Sequence, residues 1–517
     1  MPACASARTP SSSGTFSFPV PKFESVVGQP IPKTTIPEQA SGSARYTDDV
    51  DVPSNTLYAA FVLVDAPNGT LQSVDASQAL AMPGVFKYVD ASSVPEGKNT
   101  VNGEPLFADK TIGYNGQCIG VILADTQAHA DAAAMAVVCT VAGSVVPVLD
   151  ITGARKDPSR FFKENVPPVI QGDVDAAFKT ADFVVQGNAC TGLQYHFYME
   201  TQSCCVVPTE NDGFTIHSAS QWPVLVQQSV AGLLNIPEGK VDVIVKRLGG
   251  GYGGKITHPT QIACAAALCS SLTRRPVKTR MNLASNIIMK GKRHSWLAEY
   301  KVGIMKTGKI TAIQCDYYTG SGHQPDDMFG ALAAAFDNVY NIPNWKATGF
   351  CMKTDLPTNT ACRAPGMAPG IFFAEVMVEH AANVAGLDPL IVKTANLYQT
   401  GDVTPYGMPL IDCTVFDVIA MLKDKSSYDT LKADCDTFNK SNRWRKRGVS
   451  LTPVKYGIGW DGANYGVLIN VNAGDGTVMV SHSGSEMGQG IDTKVAQCAA
   501  EILKCPLEKA KLSLAFF

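Results

Sequence analysis

Residues 247–256 read RLGGGYGGKI, with five glycines around a single tyrosine. This run follows a strand-like segment, KVDVIVKR, and precedes a helical segment at about residues 259–273. A tight turn would explain one or two glycines, whereas this density indicates that the backbone approaches a ligand closely. Successive backbone N–H groups suit an anionic ligand, so the run predicts an anion-binding loop.

Two nucleotide-binding motifs overlap this loop. Gly249, Gly251 and Gly254 fit G-x-G-x-x-G, but residues 273–276 read TRRP where an acidic residue should bind the ribose. The loop also fits G-x-x-x-x-G-K, but Ile256 has no hydroxyl for magnesium. A nicotinamide-dependent dehydrogenase therefore rests on one glycine match, and nucleotide hydrolysis is disfavoured.

The composition describes an ordinary globular protein. The 517 residues are 45% hydrophobic and 17% charged, with a net charge of −3, so we expect about two to four domains. No block of one charge predicts a nucleic-acid or membrane partner. The 15 cysteines are scattered through apolar stretches, which favours reduced thiols and a cytoplasmic location.

The longest uncharged run, residues 132–149, raises a membrane span as an alternative. Gly143 and Pro147 interrupt it, which favours a helix end followed by a short strand. The N-terminus lacks a charged and then apolar region, so it does not predict a secretory signal. Residues 1–27 are predicted to be a disordered lead-in.

The segment pattern predicts an α+β fold. Strand-like segments at 57–66, 84–90 and 117–125 and a helix at 126–138 indicate one compact unit that ends near residue 150. Residues 150–172 carry charges, Gly and Pro without periodicity, which predicts a connector to a larger unit.

The larger unit begins near residue 170. Its predicted elements are strands at 182–192 and 213–220, a helix at 223–235, and a helix at 370–386 that ends at a glycine. A polar stretch places a boundary within 425–445, and strands at 466–473 and 477–484 follow, joined by a GDG turn.

Three strings, GGGYGGK (249–255), NTACRAPG (359–366) and EMGQG (486–490), follow SASQW (218–222) and QYHFYMET (194–201). Together they resemble the molybdenum-cofactor-binding portion of the xanthine dehydrogenase/aldehyde oxidase family of molybdenum hydroxylases, with the insect-type aldehyde oxidases as the nearest type. The resemblance implies an N-terminal a/b hammerhead-like domain followed by molybdopterin-binding α+β domains, the last one truncated. The implied domains are residues 28–150, 165–425 and 440–517.

The resemblance also implies a cofactor site for molybdenum–molybdopterin. Gln221 would donate its amide N–H beside the metal, the backbone of Gly251, Tyr252 and Gly253 would lie next to the metal's ligands, and Arg363 would supply a fixed cation. Gln221, Tyr252 and Arg363 are thus the predicted surroundings of molybdenum. Met487, Gly488 and Gln489 would bind the pterin and its phosphate, and the helix after them would begin at an anion-binding end.

The implied substrate pocket is apolar. Ile256, Ala331 and Pro365 stand where purine-oxidising relatives have a glutamate, an arginine and a phenylalanine. Without the glutamate and the arginine, the hydrogen-bonding groups of a bound purine would have no partners. Each unpaired group costs roughly 1–3 kcal/mol of binding free energy. We therefore expect an aldehyde substrate, oxidised to a carboxylic acid with oxygen from water, and keep a xanthine dehydrogenase-type purine hydroxylase as an alternative.

Other properties follow from the same resemblance. The 2Fe-2S clusters and FAD of the family are expected only in N-terminal domains outside this chain, and a homodimer is implied. The family's base glutamate would follow residue 517, so no catalytic residue is assigned here. A catalytically inactive cofactor-binding or interaction fragment is the remaining alternative.

Overall fold

The computed structural model describes residues 26–163, 167–326, 328–457 and 465–512. The predicted lead-in, residues 1–27, lies almost wholly outside them. The described residues combine helices and sheets throughout, which confirms the predicted α+β fold. No helix among them has the length and apolar character needed to cross a bilayer.

The strands of the described residues, in chain order, are β1 (Leu57–Leu63), β2 (Gly69–Asp75), β3 (Val85–Asp90), β4 (Thr100–Val101), β5 (Glu104–Pro105), β6 (Thr111–Ile112), β7 (Cys118–Ala124), β8 (Val138–Ala142), β9 (Val169–Gln171), β10 (Phe183–Thr191), β11 (Ser203–Pro208), β12 (Phe214–Ser218), β13 (Val241–Ile244), β14 (Val277–Arg280), β15 (Ser295–Ile304), β16 (Ile310–Gly322), β17 (Trp345–Lys353), β18 (Val467–Val471), β19 (Val478–His482) and β20 (Ala510–Leu512).

The α-helices, in chain order, are α1 (Ile36–Ser41), α2 (Ser77–Leu80), α3 (Gln127–Met135), α4 (Ile151–Ala154), α5 (Val174–Thr180), α6 (Pro223–Leu234), α7 (His258–Thr273), α8 (Leu283–Met289), α9 (Phe329–Ala333), α10 (Met367–Ala385), α11 (Pro389–Ala395), α12 (Val415–Ser426), α13 (Tyr428–Ser441) and α14 (Ile491–Leu503).

A seven-stranded sheet, in the order β13-β12-β11-β14-β1-β7-β3, joins the first and second units of the chain. Strand β1 is antiparallel to β7 and parallel to β14, where Leu57 pairs with Val277. Helix α7 packs on this sheet, and its residues 262–270 are buried without a break, which is typical of a helix enclosed by a core. Its burial fixes the position of the glycine loop that precedes it.

A five-stranded sheet, in the order β10-β15-β16-β17-β9, carries the second core. Helix α10 lies on it, and the interior contains Trp345, Phe336 and Phe373, each fully buried. The helix ends at Gly386, whose φ of 69° and backbone N–H bond to Ala382 form a left-handed cap. The predicted glycine stop is therefore confirmed.

A smaller sheet, β18-β19-β20, packs with α14 near the C-terminal end of the described chain. Strands β18 and β19 are antiparallel, with the predicted GDG turn between them. The segment that raised a membrane span consists of the end of α3, a short connection, and β8. This is the predicted helix end followed by a strand.

The predicted connector at residues 150–172 is wrong in part. It contains α4 and β9, and β9 pairs with β17 through Gln171 and Trp345. A strand of three residues has too few positions to display a period, and its partner lies far along the chain. The boundary placed at residues 425–445 falls in a region occupied by α12 and α13.

Candidate functional site

The glycine loop, residues 249–255, lies between β13 and α7. Gly250, Tyr252 and Gly253 have φ values of 90°, 53° and 99°. A Cβ on Gly253 would lie 2.1 Å from the carbonyl oxygen of Ala361. Only glycine fits there, because both the backbone conformation and the contact exclude a side chain. The loop is thus pressed against the segment that contains Arg363.

Three successive N–H groups of this loop, those of Gly250, Gly251 and Tyr252, have no acceptor in the described part of the chain. The flanking N–H groups are engaged: Gly249 donates to Glu200 Oε2, and Gly253 donates to Gln221 Oε1. A row of free backbone donors is suited to anionic or oxygen-rich groups. The predicted anion-binding character of the loop therefore has a structural basis.

Gln221 lies directly beside the loop. Its Oε1 accepts hydrogen bonds from the N–H groups of Gly253 at 2.9 Å and Lys255 at 3.3 Å. The backbone N–H of Gln221 donates to the carbonyl of Lys255 at 2.7 Å. Because the amide oxygen is used in this way, Nε2 is the remaining donor, and among the described residues it has no acceptor. This is the orientation that the predicted role of Gln221 requires.

Arg363 lies next to Tyr252. The Arg363 N–H donates to the Tyr252 carbonyl at 2.9 Å, and Arg293 Nη2 donates to the Arg363 carbonyl at 2.8 Å. Both bonds hold the backbone of Arg363 and leave its guanidinium exposed, with no ion pair to the described residues. The structure therefore brings the backbone of Arg363 to the glycine loop.

The predicted pocket residues occupy two places. A Cβ on Gly366 would lie 2.8 Å from Cβ of Ala331, so Ala331 is adjacent to the loop that contains Pro365. Ile256 is half-buried at the end of the glycine loop, where its N–H donates to Gly253. Apolar side chains thus border the glycine loop and the loop that contains Pro365.

The EMGQG loop, residues 486–490, contacts the same region. The N–H of Leu248 donates to the Glu486 carbonyl at 2.8 Å, and Ser485 Oγ donates to the Ser220 carbonyl at 3.5 Å. Leu248 directly precedes the glycine loop, and Ser220 directly precedes Gln221. All the motifs that were separate in sequence are therefore assembled in one place.

The anion-binding end expected at α14 is occupied by the chain's own carboxylate, so that expectation was wrong. Glu486 accepts from the N–H groups of Gly488, Gly490 and Asp492, at 2.8 to 3.4 Å, and pairs with Lys33 at 3.1 Å. Burial raises the pKa of Glu486, but the Gly488 N–H and the Lys33 ammonium outweigh burial and hold it below its ordinary value. The helix dipole favours a negative charge here, and Glu486 supplies it.

The side chain of Gln489 also turns back into its own loop. Its Oε1 accepts from the N–H of Met487 at 2.8 Å, and its Nε2 donates to the Ser485 carbonyl at 2.8 Å. Gly488 has a φ of 107° and open space where a Cβ would stand. What this loop can offer a ligand is therefore backbone, with Gln489 fixing the loop's shape.

Sequence reasoning did not identify Lys255 as part of the site. Its side chain is fully buried and pairs with Glu200 at 2.7 Å, and its Nζ lies 4.9 Å from the centre of the Tyr198 ring. Burial lowers the pKa of Lys255, and Glu200 partly offsets this. A lysine at the end of a glycine run, before a helix with the apolar stretch IACAAALC, was the available signal for a buried cation.

The arrangement suits a group that carries its own metal. Among the described residues, no three His, Cys, Asp or Glu side chains come together to hold an ion. The loops offer instead free backbone N–H groups, an amide donor and a guanidinium, which fit an anionic, oxygen-rich cofactor. A molybdopterin, which ligates molybdenum itself, matches this donor set.

Family models match three parts of the chain. The model for the a/b hammerhead domain of aldehyde oxidase and xanthine dehydrogenase matches residues 41–141. Two models for molybdopterin cofactor-binding domains match residues 157–397 and 421–515. The second match contains Gln221, the glycine loop and Arg363, and the third contains EMGQG.

Individual proteins agree with these models. The chain is 37% identical to the xanthine dehydrogenase of Oryza sativa subsp. japonica, over 97% of this chain and 37% of the relative. It is 35% identical to the xanthine dehydrogenase/oxidase of Gallus gallus, over 95% of this chain and 36% of the relative. The chain thus spans little more than a third of these curated relatives.

A solved structure adds the fold. The aldehyde oxidoreductase from Desulfovibrio gigas superimposes with a TM-score of 0.84 and 25% identity, over 97% of this chain and 57% of that one. The assembled loops, the three family models and this superposition agree. The chain belongs to the aldehyde oxidase and xanthine dehydrogenase family, with its hammerhead domain and both of its molybdopterin cofactor-binding domains represented.

Proposed function

We propose that this chain is the cofactor-binding portion of a molybdenum-dependent oxidoreductase that oxidises aldehydes to carboxylic acids. One observation carries the proposal: segments that carry donors without partners among the described residues meet where the Arg363 N–H bonds the Tyr252 carbonyl and the Gly253 N–H bonds Gln221 Oε1. These donors are Gln221 Nε2, the N–H groups of residues 250–252, and the Arg363 guanidinium. They suit an anionic cofactor at the loops and an anionic oxygen on the substrate.

The cofactor would be molybdenum–molybdopterin, which supplies a two-electron oxidation with an oxygen atom taken from water. Gln221 would orient it through its free amide N–H, and Gly251, Tyr252 and Gly253 would present backbone to it. The backbone of residues 487–489 would contact the pterin. The guanidinium of Arg363 would be the cation beside the substrate oxygen, where negative charge develops.

We assign no catalytic base within the described residues. Glu200 is paired with Lys255, and Glu486 caps α14 and pairs with Lys33. The oxygens of both carboxylates are engaged by these partners, so neither is placed to act as a base. The iron–sulfur and flavin groups, the homodimer and the cytoplasmic location remain proposals that rest on the family.

The aldehyde preference rests on the apolar residues beside both loops. Ile256 and Ala331 offer no hydrogen bonds through their side chains, and Pro365 offers no aromatic face. A purine ring would leave its polar groups unpaired against these residues, whereas an aldehyde needs only its carbonyl satisfied. The sequence family includes an aldehyde oxidoreductase of known structure.

Purine hydroxylation is the second candidate, because the curated relatives from rice and chicken are named xanthine dehydrogenases. We would compare benzaldehyde and hypoxanthine as substrates of the full-length holoenzyme. The proposal expects kcat/KM to favour benzaldehyde, and expects the double variant Ile256→Glu with Ala331→Arg to shift the ratio towards hypoxanthine by roughly tenfold or more. A native preference for hypoxanthine would contradict it.

Cofactor binding is tested on the purified chain by mass spectrometry for molybdenum and by pterin fluorescence after acid release. Gln221→Glu keeps the acceptor for Gly253 but removes the amide donor, so we expect less cofactor with an unchanged circular dichroism spectrum. Gln78→Ala, at an exposed glutamine, is the matched control. Absence of both molybdenum and pterin from folded native protein would favour the inactive-fragment alternative.

A further inference from the structure

A cavity of about 250 Å³ lies between the hammerhead part of the chain and helix α7, apart from the glycine loop. Its wall includes Val101, Asn102, Glu104 and Tyr114 on one side. On the other side lie residues 257–258, 260–261, 289–291, 324–326 and 357–359. None of the wall residues belongs to the glycine loop or to EMGQG, and Asn359, the first residue of NTACRAPG, is the one that the wall shares with the motifs. Cavities where two domains meet are common positions for small-molecule sites.

Lys290 on this wall is a buried cation without a carboxylate partner. Its residue is 3% exposed, and its Nζ donates to Gln261 Oε1 at 2.5 Å. No Asp or Glu oxygen of the described chain lies within ion-pair distance of it. The buried Lys255 and Lys393 differ, because each has a glutamate oxygen within 2.9 Å. A buried ammonium without a carboxylate partner has N–H donors that are not yet used. A bound anion would stabilise its charge.

Glu104 limits what that anion can be. Its Oε2 accepts from the Tyr114 hydroxyl at 2.9 Å, and its Oε1 accepts from Thr358 Oγ1. The carboxylate therefore faces the cavity with both oxygens already held by hydroxyl groups. A second charge on a ligand would be repelled by Glu104, so the site favours a monoanion.

The rest of the wall suits an organic body. Val101, Met289 and Pro357 contribute apolar surface, and His258 contributes a buried Nδ1 that has no hydrogen-bond partner among the described residues. A cavity of roughly 150 Å³ can enclose benzene, so this one has room for a ring with a small substituent. An inorganic ion would leave the apolar side of the cavity unfilled.

We propose that this cavity binds one small organic monocarboxylate, with its carboxylate on Lys290 Nζ and its apolar body against Val101 and Met289. The neutral imidazole of His258 offers a second polar contact. The inference does not depend on the proposed oxidoreductase activity, because Lys290, His258, Val101 and Met289 lie outside the cofactor loops.

The protonation of Lys290 gives the site a pH dependence. Burial lowers the pKa of Lys290 to about 8, with Glu104 opposing the shift. Its ammonium is therefore present below about pH 8 and is lost as the pH rises through that value, which should weaken carboxylate binding. The titratable groups that face Lys290 from the packed elements are Glu104, Tyr114, Cys118, His258 and Asp326. Burial keeps His258 and Tyr114 neutral at pH 7.

The test is isothermal titration calorimetry of the full chain with sodium benzoate, and with benzamide as the uncharged isostere, at pH 7 and pH 9.5. We expect benzoate to bind at pH 7 at least roughly tenfold tighter than benzamide and to lose this advantage at pH 9.5. Lys290→Met should abolish the preference. Glu104→Gln, which keeps both hydroxyl contacts but removes the like charge, should strengthen it.

Two controls separate this site from other cations. Lys292→Met removes a neighbouring half-buried lysine whose Nζ donates to the Ile287 carbonyl, and should leave benzoate affinity unchanged. Arg363→Ala should also leave it unchanged, which excludes binding at the cofactor loops. Equal affinity for benzoate and benzamide, no binding of either, or full retention in Lys290→Met would each overturn the proposal.

Discussion

Lys255 Nζ lies 2.7 Å from Glu200 Oε2, and the same oxygen accepts the N–H of Gly249 at 2.9 Å. One buried carboxylate thereby holds both ends of the glycine loop. The carboxylate's other oxygen accepts the N–H of Thr47, so the N-terminal region is attached to the same point. We infer that the pair fixes the shape of the loop.

Loss of one partner should therefore be costly. Lys255→Met leaves Glu200 buried and unpaired, and we expect the free energy of unfolding to fall by about 3–5 kcal/mol in urea titrations. The double variant with Glu200→Gln should recover part of the loss, because the two effects are coupled. Arg274→Ala, which breaks an exposed pair with Asp212, should cause no measurable change.

The closest approach within the site is at Gly253. Gly253→Ala places a Cβ against the Ala361 carbonyl at a φ of 99°, so we expect about 2–4 kcal/mol of destabilisation and reduced molybdenum content. Gly474→Ala is the control, because open space surrounds that position. Equal unfolding midpoints for the two variants would show that the glycine loop shifts to accommodate the Cβ at little cost, which would contradict the prediction.

Arg363 should matter for activity and little for stability, because its guanidinium is exposed and its backbone makes the local bonds. In the full-length holoenzyme we expect Arg363→Ala to lower kcat by about 10²–10³ with the melting temperature unchanged. Arg445→Ala, on the surface, supplies the comparison. A change confined to KM would assign Arg363 to binding alone.

Glu486 should link stability to pH. Its folded pKa lies below the ordinary value of 4.5, so its contribution is present above the unfolded pKa and is lost as the pH falls through the folded pKa. Glu486→Gln should therefore destabilise the protein at pH 7, with a difference from wild type that shrinks towards pH 3. Urea midpoints measured across this range test it, and Glu508→Gln, at an exposed position, should show no such trend.

Elements with long, regular patterns were predictable from the sequence. Helix α10 has helical spacing and a glycine stop at Gly386, and β18 and β19 flank an evident turn. Strand β9 was missed because three residues are too few to show an alternating pattern. The strand is stabilised by its pairing with β17, which lies far along the chain. The pairing of Leu57 with Val277 likewise depends on tertiary packing, which local periodicity does not encode.

The candidate site was predictable as a set of motifs but not as a geometry. Sequence comparison named Gln221, Tyr252 and Arg363, and the structure places them together. The sequence could not reveal that Glu486 caps the N-terminus of α14, because a carboxylate cap and an empty anion site look alike in sequence. Nor could it reveal the Lys255 ion pair, since its partner lies in a separate segment.

The parallel pairing of β1 with β14 has a consequence for how this architecture can be rearranged in evolution. A recombination event that removed the hammerhead part alone would separate strands that share one ladder, and would expose an unpaired edge on each product. Such edges favour aggregation over folding. We therefore expect the two parts to be kept or lost together, as a single unit of inheritance, although they match separate family models.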